Sequence, residues 1–546
     1  MTNTHEPPTA NGTTQIPKKQ ILLNAFDMFT PGHLSPGQWK DPSDRSTTKF
    51  ESLDYWINLA KLLEKGGINA LFLADTYGGY DTYEGSLDEC VRRGAQWPVG
   101  DPIISKDGKA RIQSSPQPKA PAPSLRPRFH IGSRPKEILQ QPTGSWSSGS
   151  WYYAPRNTHI DSRSKRHGFL RQEDTANSSS EQPISAMAAV TKNLAFGITA
   201  STSFEPPFLL AKRFSTLDHL TKGRIGWNIV TSWKKSAFKA IGLDNPIEHD
   251  QRYEQADEYL RVLYKLWNAS WTPSAIQLSP SSDIYSDPSQ IRQINHSGKY
   301  FQLSTPHIVP PSPQRTPFLF QAGTSSAGSE FATTHAEAVF VSSHSPSVLA
   351  PKVQKLRELA RQKGRDPASL KVFATFTPIV GRTEEEALAK YEEARKNASV
   401  IGGLVLFAGW TGIDIKVPKW TPRVVAERAA IGGLGPVAVG TAEQVADEME
   451  RWVREADVDG FNVAYVTTPG TFEEVVELLV PELRRRGLYP EQAHEGAEAW
   501  TAREKVYGRG QKQLRADHVG RKYDWDVYVE EEPYKAEKEA EENAEA

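Results

Sequence analysis

The chain has 546 residues, of which 38% are hydrophobic, so a large buried core is possible. Its formal net charge is −1 and its mean hydropathy is −0.55, so no global field favours nucleic acid or a membrane surface. A single cysteine, Cys90, excludes an internal disulfide framework, a paired-thiol redox motif and a cysteine-rich metal site.

Residues 1–20 are polar, with no apolar core of a secretory signal, and read as a disordered N-terminus. The first strand is expected over Ile21–Phe26 and the second over Ala70–Ala74, with an amphipathic helix at Tyr55–Lys65 between them. Residues 104–183 break the pattern. From Gln113 to Gln182 the chain is rich in Ser, Pro, Arg and Gln, with ten Lys/Arg against five Asp/Glu and no apolar periodicity. Such a segment cannot bury enough apolar surface to offset its ordering entropy. We read it as an insertion. Gly108-Lys109 and Gln182 can be encoded with splice-site sequences, which favours retained intron sequence over a domain.

The regular pattern then resumes. Leu194–Ala200 is an apolar run ending in small residues, and Phe208, Leu209, Phe214, Leu217 and Leu220 follow at helical spacing. Ile225–Val230 is the fourth strand, ending in Thr231-Ser232. A helix is expected over Arg252–Trp267 and strands over Phe318–Gln321, Ala338–Ser342, Val372–Val380 and Gly460–Val466, with further helices at Val353–Lys363 and Phe472–Arg485. Eight strand-then-helix units imply an α/β fold, a closed (β/α)₈ TIM barrel with insertions spanning 21–490. An open doubly wound sheet is disfavoured because no GxGxxG follows the first strand. Residues 491–546 form a charged arm and an acidic tail.

Several segments carry a resemblance: NAFDM at Asn24–Met28, Tyr55–Asp75 ending in NALFLAD, Leu194–Ser232, His249–Trp267, Ser312–Gly328, and Gly435–Val466. Together they resemble the nitrilotriacetate, long-chain alkane and dibenzothiophene-sulfone monooxygenases, a branch of the bacterial-luciferase-like flavin monooxygenases. Only five residues separate Asp414 from Trp420, where this group has several tens. The resemblance implies an enzyme that receives reduced FMN from a separate NAD(P)H-dependent reductase. With O₂ it oxygenates a small organic substrate through a flavin C4a-peroxide. A homo-oligomer in the cytoplasm is expected, with no nucleic acid or membrane partner and no metal. Two alternatives stand beside it: a deazaflavin-dependent oxidoreductase on the same barrel, and an inactive relative or mis-spliced gene product.

The candidate site residues lie at or after the C-terminal ends of strands, where such barrels build sites. Asp75 ends the second strand and can accept a hydrogen bond from a flavin ring or ribityl group; as a turn or cap residue it is equally well explained. Thr199 ends the third strand, where a capping role is the ordinary one; the resemblance implies contact with the isoalloxazine ring. Asn228 is an amide in an apolar strand, bonded either to a neighbouring strand or to a flavin edge. His249 and Tyr253 share a helix face at i, i+4, with Asp250 beside the helix start as a candidate cap, and the resemblance favours phosphate binding there. Ser325, in the turn Gly323-Thr324-Ser325-Ser326, matches a phosphate-contacting serine. His33 in PGHLSPGQW matches a substrate-side histidine or is a surface-loop residue. Trp233 stands where the group often has His or Tyr. No catalytic acid or base is identified.

Overall fold

Strands buried on both faces need apolar residues at nearly every position, and the eight apolar runs above become the wall of a parallel barrel. The computed structural model describes residues 19–101, 183–413, 421–491 and 499–534. In chain order the strands are β1 (Leu22–Met28), β2 (Ala70–Ala74), β3 (Ala195–Ser201), β4 (Ile225–Val230), β5 (Ile276–Ser279), β6 (Ile284–Ser286), β7 (Ile294–Ser297), β8 (Gln302–Thr305), β9 (Phe318–Gln321), β10 (Ala338–Val341), β11 (Lys371–Gly381), β12 (Val437–Thr441) and β13 (Gly460–Ala464). The barrel runs β1-β2-β3-β4-β9-β10-β11-β13 and closes on β1, every pairing parallel. This is the (β/α)₈ TIM barrel expected from the alternation.

Three features were not expected. β12 pairs with the distal half of β11, Thr377–Gly381, and extends the sheet beyond the barrel rim. β5–β6 and β7–β8 are two antiparallel hairpins inserted between β4 and β9. The helix expected over Arg252–Trp267 begins earlier, at His249, and its last turn, Lys265–Ala269, has π geometry. The insertion at 104–183 lies outside the described residues apart from its last position, where the helix Pro183–Val190 begins. The shortened segment 414–420 lies outside them as well.

Phenylalanines fill the barrel interior. Phe72, Phe318, Phe320, Phe340 and Phe373 form one buried cluster with Ala70, Ala195 and Ala338. They need facing glycines: a Cβ on Gly197 would lie 2.6 Å from the Phe72 ring, and one on Gly226 would lie 2.6 Å from the Phe320 ring. Outside the wall, Trp56, Leu59, Ala60 and Leu63 of the helix Leu53–Gly66 pack onto the main core. In the helix Pro207–Leu220, Phe214 and Leu217 are buried, whereas Leu209 and Leu220 of the expected apolar face point to solvent.

The C-terminal arm closes the base of the barrel. Its helix Ala502–Tyr507 is held by a Thr501–Glu504 capping box. Ala502 joins the phenylalanine cluster, and its N–H donates to the Gly223 carbonyl at 2.8 Å. The Arg503 guanidinium is fully buried, donating to Glu337 at 2.7 and 2.8 Å and to the carbonyls of Thr316, Pro317 and Lys512. Each guanidinium nitrogen of Arg503 has an acceptor, which is the condition for burying that cation at modest cost.

Candidate active site

At the opposite end, above the C-terminal edges of the strands, lies a cavity of about 590 Å³. Its walls come from β1, β2, β3, β4 and β9 and the loops that follow them, including Asp75, Thr199 and Gln321.

His33 lies on this cavity and not on the surface; it is 2% exposed, its ring edge-on to Phe26 at 4.5 Å. Burial and the nearby Lys49 cation hold its imidazole well below the usual histidine range, against a hydrogen bond with the Phe26 backbone. It is therefore neutral at ordinary pH, and its Nδ1 has no partner among the described residues. Behind it runs a polar chain the sequence did not reveal. Trp410 Nε1 donates to the Tyr80 hydroxyl at 2.7 Å, Tyr80 donates to Gln96 Oε1 at 2.9 Å, and Gln96 Nε2 donates to the His33 carbonyl at 3.2 Å. His33, Gln96 and Ser232 all have positive φ, at 34°, 54° and 48°. Non-glycine residues rarely adopt that conformation, and three on one cavity mark a place where geometry is held against local preference.

Below His33, Asp27 and Lys49 form a completely buried ion pair at 2.6 Å, and Lys49 also donates to the Tyr465 hydroxyl at 2.5 Å. Burial raises the Asp27 carboxyl and lowers the Lys49 ammonium relative to their ordinary values. Twenty-two residues separate the two in sequence, so only the fold pairs them.

Asp75 opens onto the cavity, with Oδ1 accepting the Thr76 N–H at 2.7 Å. Burial, reinforced by Asp101, raises its carboxyl to about 7. No helix starts at Asp75, so it does not cap one; among the described residues its hydrogen bond is the one from the Thr76 N–H. Thr199 also lines the cavity. Its Oγ1 accepts Asn228 Nδ2 at 2.9 Å, while Asn228 Oδ1 is buried without a partner among the described residues. The amide is thus half committed to the neighbouring strand. Trp233 stands at the rim, 44% exposed.

The HxxxY pair and the Gly-Thr-Ser-Ser turn come together. The Tyr253 hydroxyl lies so near the turn that a Cβ on Gly323 would be 2.4 Å from it, and one on Gly328 would be 2.8 Å away. Ser325 is the N-cap of the helix Ser326–His335, its Oγ accepting the Gly328 N–H at 3.0 Å. His249 packs edge-on against Tyr253 at 5.3 Å but is exposed and does not line the cavity. The expected cap role of Asp250 is corrected. Glu248 caps this helix, accepting the N–H groups of Asp250 and Gln251, and Asp250 instead bonds His249 Nδ1 at 2.6 Å. Among the described residues no cluster of three or more metal-ligating side chains is present. No helix among them is long and apolar enough to cross a membrane.

A family model described as luciferase-like monooxygenase matches residues 164–460. The chain is 37% identical to the dimethyl-sulfide monooxygenase of Hyphomicrobium sulfonivorans, over 94% of this chain and 95% of that one. It is 39% identical to the long-chain alkane monooxygenase of Geobacillus thermodenitrificans, over 92% and 98%. The chain belongs to the luciferase-like monooxygenase family. It is accordingly a flavin-dependent monooxygenase. A crystal structure of long-chain alkane monooxygenase superposes with a TM-score of 0.75 at 38% identity, covering 93% of this chain and all of that one. A riboflavin lyase crystallised with modified FMN and riboflavin gives 0.72 at 28% identity, covering 93% and 100%. The family assignment favours oxygen insertion over the deazaflavin alternative.

Proposed function

We propose that the cavity binds reduced FMN, delivered by a separate NAD(P)H-dependent reductase, and that the protein oxygenates a small organic substrate with O₂. The observation that carries this reading is the single continuous cavity. It joins the neutral His33 at one side to the Tyr253–Gly323 contact beside a helix N-terminus at the other.

The residues fit such a group. A helix N-terminus with a tyrosine hydroxyl and glycines that let the backbone approach is a suitable phosphate cradle. Tyr253 and Ser325 would hold the phosphate there, with His249 orienting Tyr253 from outside. Gln321 lines the cavity, and its buried Oε1 has no partner among the described residues; Asn228 Oδ1 has none either, one step behind the wall, where its amide bonds Thr199. Asp75 and Thr199 add an acceptor and a hydroxyl at the strand ends. One phosphate cradle fits FMN better than FAD.

Reduced flavin supplies the activation of O₂ and the transfer of one oxygen atom. The protein binds, orients and excludes water. His33, neutral and with Nδ1 free, can exchange a hydrogen bond with the substrate without placing a charge beside it. The Trp410–Tyr80–Gln96 chain fixes the loop that carries it. The two relatives act, by name, on dimethyl sulfide and on long-chain alkanes. Such different molecules agree only in being small and organic.

Anaerobic titration with reduced FMN and reduced FAD tests the reading. FMN is expected to bind more tightly, and product formation to require the reductase and O₂. Equal or tighter FAD binding would overturn the cofactor assignment.

A further inference from the structure

Among the described residues three lysines are buried and another, Lys234, is half-buried on the active-site cavity, and these four differ in what answers them. Lys49 pairs with Asp27, and Lys265 pairs with Glu531 at 2.7 Å. Lys505 is sealed in the base by the arm, against the Asn69 carbonyl at 3.4 Å. Lys234 alone among these four lines the active-site cavity. It follows β4 directly after Thr231-Ser232-Trp233. Its ammonium donates to the Gly78 carbonyl at 3.3 Å and sits 3.6 Å from the centre of the Tyr80 ring. No carboxylate among the described residues forms an ion pair with it.

A cationic head with three donors is here given one carbonyl and one aromatic face. The cavity it lines carries Trp233, Ala237, Tyr80, Trp410 and Leu434 together with the polar Asp75, Gln96, Thr231 and Ser232. The phosphate cradle is elsewhere, because Lys234 packs on the loop after β2 whereas Tyr253 packs on the turn after β9. We propose that Lys234 sets the substrate class: its ammonium is the counter-ion for the carboxylate of an organic acid whose apolar body lies against Tyr80, Trp410 and Leu434. This rests on the reading of the cavity as a flavin monooxygenase site.

The electrostatics agree with the geometry. Burial lowers the Lys234 ammonium to about 7, with Asp75, Asp81 and Cys90 pulling weakly the other way. These three and the Tyr80 phenol are the titratable groups that face it. A bound carboxylate would restore the proton. Affinity for an acid is then full below neutrality and declines as pH rises past 7, while affinity for a neutral analogue stays flat. Asp75, ionising in the same range, repels the acid above neutrality and adds to the slope.

Calorimetric titration of the full chain with octanoate and with octanamide, with and without reduced FMN under anaerobic conditions, tests this. At about pH 6 octanoate is expected to bind roughly tenfold or more tightly than octanamide, as for a hydrogen bond to a charged group. The preference should shrink toward pH 8. Lys234→Met should lose the preference for octanoate at about pH 6 and keep only the part of the pH slope that Asp75 contributes, with reduced-FMN affinity unchanged; Lys234→Arg should keep the preference. Equal binding of the two probes by the wild-type protein overturns the proposal without reference to any variant. So does a preference for octanoate over octanamide at about pH 6 that survives undiminished in Lys234→Met. Loss of FMN affinity in Lys234→Met would move the lysine to the flavin. Failure of FMN to bind the wild-type protein, with the acid preference intact in its absence, would sink the cofactor reading and leave the acid site standing.

Discussion

The two ends of the barrel hold their polar groups differently, although the base too leaves Asn24 Nδ2 buried without a partner among the described residues. At the base, Arg503 and Glu337 are buried together, and every guanidinium nitrogen has an acceptor. At the mouth, His33 Nδ1, Asn228 Oδ1 and Gln321 Oε1 are buried without partners, and Lys234 has no carboxylate among the described residues. An unmet buried polar group costs about 1–3 kcal/mol, so His33 Nδ1 and Gln321 Oε1 on one cavity are not explained by stability. The base is built to hold the fold and the mouth to receive something. Substitutions at the two ends should therefore separate stability from binding.

The largest effect is expected at the base. Arg503→Met leaves the Glu337 carboxylate buried with only the Leu319 N–H against it, at 3.1 Å. Breaking a buried pair by removing one partner costs about 3–5 kcal/mol. Denaturant unfolding should show that loss, while the folded fraction binds reduced FMN with unchanged affinity. A variant that kept full stability would make the arm an accessory to the barrel and not its plug.

At the mouth the pattern should invert. Tyr253→Phe removes a hydroxyl that lies beside Gly323 and keeps the ring packed against Phe331 at 5.6 Å. A hydrogen bond to a charged group is worth about 1.5–3 kcal/mol, so the reduced-FMN dissociation constant should rise on the order of tenfold or more. The melting temperature should hardly move. Unchanged affinity would make Tyr253 a packing residue.

How much of this difference could be read from the sequence follows from the same physics. The eight barrel strands were legible because strands buried on both faces are continuous apolar runs. β12 was not, because its burial alternates and it lies beyond the rim. The hairpins β5–β6 and β7–β8 are largely exposed and polar, so no apolar signal marks them. Asp75, Thr199 and Tyr253 lie on the cavity, but the sequence singled them out only through the resemblance; position alone left each equally well explained as a turn, cap or packing residue. Lys234 was missed because a lysine in Trp233-Lys234-Lys235 reads as a solvated charge; its enclosure comes from the loop after β2. Gln96 and Trp410 are far apart in the chain and meet only through Tyr80.

A smaller effect is expected for Asp75→Asn. In the folded protein burial raises its carboxyl to about 7, well above the ordinary carboxylate range. The native state therefore binds this proton more tightly than the unfolded chain does. Stability falls as pH rises from about 4 to about 7, and the penalty is complete above that. Because Asp75 faces an open cavity, the shift translates into roughly 1–2 kcal/mol after solvent screening. Asp75→Asn should be more stable than wild type at about pH 8, with the gap closing by about pH 4. Parallel pH–stability curves for the two proteins would place the titration elsewhere.

The sharpest discrimination comes from the smallest change, at Ser325, which belongs to both sides of the comparison. Its Oγ caps the helix Ser326–His335, and it is also a proposed phosphate ligand. Ser325→Ala removes both functions and should cost about 1 kcal/mol of stability, as a lost N-cap does. Ser325→Gly also removes the hydroxyl, but glycine is a good N-cap and costs only a few tenths of a kcal/mol. If Oγ contacts phosphate, both variants lose reduced-FMN affinity to the same extent, although only the alanine variant is less stable. If the serine is merely a cap, the glycine variant binds like wild type, and any loss in the alanine variant follows its loss of stability. Comparing the two variants by binding titration and thermal melt therefore tells whether this helix start belongs to the mouth's chemistry or only to the scaffold around it.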